Sequence, residues 1–504
     1  MNKRIVKSGI LISLGTLFSR ILGLLREIVT ASYFGAGSVF DSFVVAFTIP
    51  NLFRRVLGEE MFERAFMPRF KRLREQGKVS LSKRFFLKTV FFTFFSSVIA
   101  CVLIYLFVPD IIHFIAPGLK GDSFNVAVNF GYRLVPFLFF IAFATLFGAF
   151  LLFNEKSFLY AIAPAFMNLG TIGFLVFFYK ELGQISIVYA YLLGAFLFLV
   201  VQLPFVVKIY LSLGDEGEKD NGSGREEFKA SLFEGGKIFL LSIVNKSVEI
   251  VDRLVASLVG SGAISSLWYS FRIIHLPFAF FSLALSRALA PEFSKLKGNK
   301  DNETFALLIG KGLVVNLAIL LPVTAFFMIF PDEVIAIFYK RGNFGLNSLM
   351  LTSKAFFYYS VALLPMGMVA VLGRAYSSLE NNTYPLIASV TGAFFNIVLD
   401  FLLYKTPLKQ GGIALATAIS MYIQVIIMLS LLSKFEIRLG KESFKGISGI
   451  IISVIPYGLS LFVLKYFLKG LTGFNFYLAF IGLGGFLSII YFAGVLWQIK
   501  KIKA

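Results

Sequence analysis

Cysteine, histidine and acidic side chains are all scarce in this chain. A single cysteine, Cys101, among 504 residues rules out an intrachain disulfide and argues against a multi-cysteine metal site. Two histidines, His113 and His275, are too few for a haem or zinc constellation. Charged residues make up only 15% of the chain and hydrophobic ones 58%, with a mean hydropathy of +0.82. That excludes a soluble globular protein and points to an all-α polytopic membrane protein. The 28 acids are outnumbered by 48 lysines and arginines, a net charge of +20. In a chain this apolar the surplus is expected in cytoplasmic loops, with no nucleic-acid partner. There is no Gly-rich phosphate loop, no HExxH and no nucleophile–histidine–acid set, so no enzyme is expected. The N-terminus does not read as a cleaved signal peptide, because its apolar stretch is too long and carries internal charge.

What the chain has in abundance is apolar runs. Fourteen are of spanning length, at roughly 9–34, 39–57, 85–108, 124–152, 157–179, 185–211, 232–259, 263–290, 306–330, 347–373, 383–404, 411–433, 446–468 and 475–498. Residues 54–84 carry ten lysines or arginines against four acids, whereas the connection Ala31 to Ser38 carries no charge. The excess of cations predicts that 54–84 and both termini are cytoplasmic, as an even number of spans requires. Between spans six and seven, Gly214 to Glu227 is rich in glycine and charge and reads as a flexible cytoplasmic linker.

The two sides of that linker are related. Gly35-Ala36-Gly37-Ser38, Pro50 and Ala65-Phe66-Met67-Pro68 recur as Gly260-Ser261-Gly262, Pro277 and Ala288-Leu289-Ala290-Pro291, at an offset near 225 residues. Asn168 of span five has its counterpart in Asn396 of span eleven. Six spans per repeat is an even number, so the repeats are parallel, and duplicated bundles place their substrate site between the halves. The expected organisation is an N-lobe over 1–212, a linker over 213–231, a C-lobe over 232–433, and two additional C-terminal helices with a basic tail over 434–504.

Span one carries two arginines and a glutamate: Ser19-Arg20-Ile21-Leu22-Gly23-Leu24-Leu25-Arg26-Glu27. A guanidinium at mid-bilayer costs at least about 2.5–3.5 kcal/mol, so such residues face a cavity or a partner. On a helix Gly9, Ser13, Thr16, Arg20, Gly23, Glu27 and Thr30 form one stripe, with Ser19 and Arg26 a third of a turn away. Either the stripe lines a polar cavity, or an arginine pairs with Glu27 to lock packing. Arg54 follows Pro50 at the end of span two and is a candidate for the cavity mouth; Arg55 reads as an ordinary positive-inside residue. In span eight, Arg272 lies ten residues inside an apolar run without a local acid. Arginine suits a phosphate, since its planar fork makes two charge-assisted hydrogen bonds at once. His275 reads as a packed polar residue.

Spans seven, eleven and twelve offer a different chemistry. Span seven holds Ser242, Asn245, Glu249 and Asp252 on one face, with Arg253 four residues after Glu249 as an expected ion pair. Asn396 and Asp400 are neighbours on a face of span eleven, and Thr417 of span twelve adds a hydroxyl. Asp252, Asn396, Asp400 and Thr417 offer only oxygens. They suit a hard cation or proton, or else a buried hydrogen-bond network.

The run Phe18-Ser19-Arg20-Ile21-Leu22-Gly23-Leu24-Leu25-Arg26-Glu27, with Phe34-Gly35-Ala36-Gly37, Asp41-Ser42-Phe43, Ala46-Phe47, Pro50-Asn51-Leu52-Phe53-Arg54-Arg55 and Ala65-Phe66-Met67-Pro68, closely resembles the MurJ (MviN) lipid II flippases. These belong to the multidrug/oligosaccharidyl-lipid/polysaccharide exporter superfamily. The resemblance implies a bacterial inner-membrane transporter that moves undecaprenyl-pyrophosphate-linked peptidoglycan precursor outward by alternating access. A central cavity between two six-helix lobes would take the headgroup, and the two extra spans would form a groove for the lipid tail. The family's cavity arginines map onto Arg20, Arg26, Arg54 and Arg272, with Ser19 beside them. Glu27 stands where many relatives carry Asp. The segment Gly58 to Glu63 is more acidic than usual for the family, which makes Glu59 a candidate gate residue. Some members bind sodium at acids and amides that match Asp252, Asn396, Asp400 and Thr417, so sodium is the one ion implied, without a cofactor. The expected partners are lipid II and membrane lipids, for a monomer. The alternatives are a flippase for another polyprenyl-linked oligosaccharide and a cation-coupled drug antiporter of the same superfamily.

Overall fold

The structure, a computed structural model, describes residues 3–213, 223–298, 301–468, 471 and 473–503. Helix follows helix, and no strand occurs among the described residues. Packing divides the chain into two compact units: Met1–Ser265 with Arg341–Gly345, and Ser266–Lys340 with Leu346–Ala504.

The first unit opens with α1 (Lys3–Phe34) and α2 (Ser38–Phe53), then a π-helical segment, Arg54–Phe66. Next come α3 (Met67–Glu75), α4 (Val79–Leu106), α5 (Val108–Ile115) and α6 (Asp122–Phe153). It closes with α7 (Ser157–Leu182), α8 (Ser186–Ser212) and α9 (Ser223–Val259). The second unit takes most of α10 (Ala263–Pro277), a short π-helical segment at Phe278–Ser282 and α11 (Leu283–Gly298). It continues through α12 (Asn302–Ile329), α13 (Pro331–Tyr339), α14 (Leu346–Ser378) and α15 (Thr383–Leu403). The last three helices are α16 (Gln410–Leu431), α17 (Lys441–Leu468) and α18 (Gly473–Lys503).

Nine stretches of the described residues are long and apolar enough to cross a membrane, and one of them, Ser157–Ser212, contains two helices, α7 and α8. The others of the fourteen expected spans are α1, α2, α9 and α18. The described part of α1 carries Arg20, Arg26 and Glu27, and α9 carries Glu249, Asp252 and Arg253. The apolar helices Ser38–Phe53 and Leu478–Gly494 are shorter than a full span. The chain is a multi-pass membrane protein whose most polar spans are those that carry its charged constellations.

Each unit is organised around one helix. In the first, α6 packs on α2, α4, α7 and α8, and most of its apolar residues, Phe130 and Phe137 among them, are fully buried. In the second, α14 packs on α11, α12, α15 and α16. These are the fourth spans of the two expected repeats, and the α7–α8 and α15–α16 pairs also correspond. Interior prolines recur at Pro136 and Pro365, and each π-helical segment follows a repeat-related proline, Pro50 or Pro277. Proline removes an i→i−4 bond, and π segments occur where that ladder is disturbed.

The helix expected to open the C-lobe departs from this symmetry. It packs with the first unit, against the Arg54–Phe66 segment, α2, α4 and α5. It also begins at Ser223, inside the stretch expected as linker; Gly214 to Gly222 lie outside the described residues. The reason is anchoring side chains. Phe228 inserts among Phe66, Phe85 and Phe92, with ring centroids 6.0–6.2 Å away. Arg69 of α3 pairs with Glu227 and Glu234, each at 2.8 Å. Beyond the repeats, α17 lies on α12, and α18 on α17. Lys465 of α17 donates to the Ile329 carbonyl at the end of α12 and lies 3.9 Å from Glu333.

Close contact between α7 and α8 depends on missing side chains. A Cβ at Gly194 would stand 2.6 Å from the Met167 carbonyl oxygen and 2.7 Å from Thr171 Oγ1, whereas one at Gly173 would meet nothing within 4 Å. Gly194→Val is therefore expected to destabilise the protein by about 1–3 kcal/mol through overpacking. Gly173→Ala is expected to leave stability unchanged or slightly raised, and thermal unfolding of the two purified variants checks the contrast.

Candidate functional site

The first helix turns its apolar residues outward and its charges inward. Leu14, Leu17, Phe18, Ile21 and Leu25 are exposed, while Glu27, Thr30 and Ala31 are fully buried. Gly15 and Gly23 face α7: a Cβ at Gly15 would lie 3.0 Å from Ala161 Cβ, and one at Gly23 would lie 3.6 Å from Asn168 Nδ2. Of the polar stripe read from the sequence, Gly23, Glu27 and Thr30 face inward, while the side-chain positions at Gly9 and Ser13 lie outside the described residues.

On that face Arg26 is held from three directions. Its Nη2 donates to Glu27 Oε1 at 2.5 Å and its Nη1 to Asn168 Oδ1 at 3.1 Å. Its guanidinium lies 5.2 Å from the centre of the Tyr191 ring. Asn168 in turn donates from Nδ2 to the Ser19 carbonyl at 3.1 Å, tying α7 to α1 one turn below Gly23. Arg26 Nε has no hydrogen-bond partner among the described residues. The arrangement neutralises the charge with a buried carboxylate and orients the fork with an amide. A guanidinium so held can bind an oxyanion without first being reordered. Asn168 and Tyr191 were not legible as site residues; the signal available was an amide inside an apolar span at the repeat position of Asn396.

The other expected anion-binding residues are placed as follows. Ser19 and Arg20 are half-buried on α1. Arg54 is half-buried at the start of the π-helical segment, with its Nε 3.4 Å from Oδ1 of the buried Asn51. Arg272 belongs to the second unit, where its guanidinium lies 4.3 Å from the ring centre of Trp268, one turn earlier in α10. His275 sits between Phe271 and Phe278, at 4.4 and 5.5 Å, as a packed polar residue. The side chain of Glu59 lies outside the described residues.

Two further clusters organise the region. Arg253 of α9 is buried; it donates to Glu249 Oε1 at 2.6 Å, the expected ion pair, and also to Thr48 Oγ1 of α2 at 2.6 Å. Asp41 of α2 is also buried, and it accepts from the Gly262 amide at 2.6 Å and from the Ser265 amide at 2.7 Å. The Ser265 hydroxyl donates to it as well. This carboxylate satisfies N–H groups that the first turn of α10 leaves without helical partners and lies at the positive end of that helix. It therefore fixes the start of the helix that carries Arg272.

Of the four residues expected to hold a cation, Asn396 and Thr417 meet in the second unit, with Asp400 one turn further along α15. Asn396 and Asp400 are buried one turn apart on α15, and Asn396 Nδ2 lies 3.5 Å from Oγ1 of the buried Thr417 on α16. The Asp400 carboxylate, the Asn396 carboxamide oxygen and the Thr417 hydroxyl are hard oxygen donors, and it is the carboxamide nitrogen that is turned toward Thr417. Asp252 lies half-buried on α9 in the first unit.

A family model described as "Lipid II flippase MurJ" matches residues 30–493. A probable lipid II flippase MurJ of Aquifex aeolicus (strain VF5) is 31% identical over 419 residues, 80% of each chain. The corresponding protein of Buchnera aphidicola subsp. Schizaphis graminum is 28% identical over 491 residues, 96% of this chain and 94% of that one. A solved structure titled "Lipid II flippase MurJ, inward closed conformation" superposes with a TM-score of 0.78 at 25% identity, covering 97% of this chain and 99% of that one. An inward-facing multidrug resistance MATE family transporter of the MOP superfamily shares the fold, with a TM-score of 0.69 at 15% identity over 83% of this chain and 94% of that one.

Removing the Asp41 carboxylate would strand buried N–H groups of Gly262 and Ser265. Asp41→Ala is expected to cost about 2–3 kcal/mol and Asp41→Asn less, since its amide keeps one acceptor. Apparent melting temperatures of the two variants in detergent should fall in that order.

Proposed function

The chain belongs to the lipid II flippase MurJ family, and from that membership we propose that it moves undecaprenyl-pyrophosphate-linked peptidoglycan precursor across the bacterial cytoplasmic membrane by alternating access. The reading assigns no catalytic residue, because translocation breaks and forms no covalent bond. The protein acts as a monomer on a lipid-linked substrate, with no nucleic acid involved. Its termini and the basic run 54–84 are cytoplasmic, and the Ala31–Ser38 turn faces out, following the cation distribution.

One observation carries the reading: Arg20 and Arg26 lie off the exposed apolar face of α1, and Arg26 is held in a preset orientation by Glu27 and Asn168. Arg20, Arg26, Arg54 and Arg272, with Ser19 beside them, bind the pyrophosphate through paired charge-assisted hydrogen bonds. Glu27 competes with the substrate for Arg26, so anion binding and release of that ion pair are linked. Such differential binding lets the substrate bias the switch between inward and outward states. Glu59 remains the proposed gate residue. Asp252, Asn396, Asp400 and Thr417 would hold sodium, supplying positive charge to an otherwise acidic cluster. A drug-antiporter reading would need a site dominated by acids, whereas here four arginines carry it.

Three experiments test these statements. Arg20→Ala, Arg26→Ala and Arg272→Ala should each fail to support growth of a flippase-depleted bacterium; normal growth of all three at normal expression would sink the pyrophosphate assignment. Sodium should raise the melting temperature of the wild type and have no effect on Asp252→Ala or Asp400→Ala. In a Cys101→Ser background, Gln184→Cys should react with a membrane-impermeant maleimide from outside, and Glu75→Cys only after permeabilisation.

A further inference from the structure

Apart from the arginines, the first unit contains a polar cleft of about 550 Å³ between the first turns of α2 and α6 and the α7–α8 connection. Its walls present Ser38 and Ser42 from α2, Asp122, Ser123, Asn125 and Asn129 from α6, and Gln184 from the connection, set among the apolar Val39, Val126, Phe130 and Ile185. The cleft is built by the backbone. Gly121 and Gly183 both have φ of +56°, a left-handed turn that other residues adopt at a cost, and each sends the chain sharply into the segment that lines the cleft. The buried Ser42 donates to the Ser123 carbonyl at 2.8 Å and fastens α2 to α6 at the cleft floor. Arg133 donates to Asn129 Oδ1 at 3.0 Å and to the Tyr189 hydroxyl at 2.8 Å, so this nearby cation is occupied in orienting a wall residue.

The lining discriminates between ligand classes. It contains no lysine or arginine and one carboxylate, so an anion such as pyrophosphate is repelled rather than held. An apolar ligand would strip water from the exposed Asp122, Asn125, Asn129 and Gln184 without replacing their hydrogen bonds. Hydroxyls and carboxamides both donate and accept, which matches a neutral ligand with alternating donors and acceptors. The volume falls within the roughly 300–1,000 Å³ of small-ligand pockets. An acetamido sugar, with hydroxyls and an amide, satisfies each of these conditions.

We propose that this cleft is a sugar subsite, taking a neutral acetamido-sugar unit of the substrate headgroup on the outer side of the first unit. The inference rests on the flippase reading and its orientation, which place the α2 and α6 N-termini outside. It separates two tasks by chemistry: arginines for the pyrophosphate, and an arginine-free cleft for the uncharged sugar.

The test uses the purified full-length protein and di-N-acetylchitobiose, a neutral disaccharide of N-acetylglucosamine, with saturation-transfer NMR for binding and a proteoliposome assay for lipid II flipping. The wild type should bind the disaccharide with millimolar affinity. Asn125→Leu and Gln184→Leu, both at exposed positions, should weaken it at least about tenfold, equivalent to 1.4 kcal/mol, at an unchanged melting temperature. Arg26→Ala should bind it as the wild type does. Flipping by a wild type that binds no disaccharide would overturn the cleft assignment and leave the transport reading standing. Binding that is lost in Arg26→Ala but kept in both cleft variants would also overturn it. Cleft-dependent binding by a protein that does not flip lipid II would support the sugar site and count against the transport reading.

Discussion

A guanidinium placed within an apolar helix has to be met by acceptors or the helix does not stay where it is. Much of the first unit is arranged around that requirement at Arg26. Glu27, the next residue, supplies the countercharge, but a neighbour on the same helix cannot orient the fork alone. Asn168 of α7 and Tyr191 of α8 complete the shell. Both can reach Arg26 because α7 and α8 approach closely at Gly170 and Gly194, where a Cβ on either would clash. The small residues of α7, α8 and α1 therefore serve the charge as much as the packing. Changing them disturbs the site without touching it.

Both units are built on the same scaffold and use it differently. The fourth span of each repeat is its central helix, and the fifth and sixth form a tight pair. The related asparagines nevertheless meet different neighbours. Asn168 orients a cation, while Asn396 sits beside an acid and a hydroxyl. A duplicated frame thus holds a guanidinium in one half and a carboxylate, a carboxamide and a hydroxyl in the other. The repeat breaks where a stronger local interaction overrides it. The aromatic cluster around Phe228 and the ion pairs of Arg69 hold α9 on the first unit.

The exposed surface of the spanning helices is largely apolar, as along Phe91, Phe95, Ile99 and Val102 of α4 or Ile452, Ile455 and Leu459 of α17. Charge and hydrogen-bonding groups are gathered inside or at the ends of helices. That inversion of a water-soluble protein is what a hydrocarbon solvent dictates, since every unsatisfied polar group facing lipid costs several kcal/mol. It also means that each buried polar side chain has been kept against a penalty, and the clusters at Arg26, Arg253, Asp41 and Asp400 are where that penalty is offset by partners.

The sequence by itself determined the solvent, the helical class, the repeat and the family. Each rests on periodicity, composition or contiguous motif, which local chemistry records directly. The inward face of α1 and the Glu249–Arg253 pair were legible for the same reason, being set by helical spacing. Only the tertiary structure decided that Asn168 and Tyr191 hold Arg26, that Asp41 caps α10 from 221 residues away, and that α9 packs with the first unit. Those outcomes depend on which helix faces lie against one another, and helical spacing within one segment does not specify its neighbour. The sugar cleft belongs to the same class. Its seven polar residues come from three separated stretches, and none of them is unusual until the two glycine turns bring them to one rim.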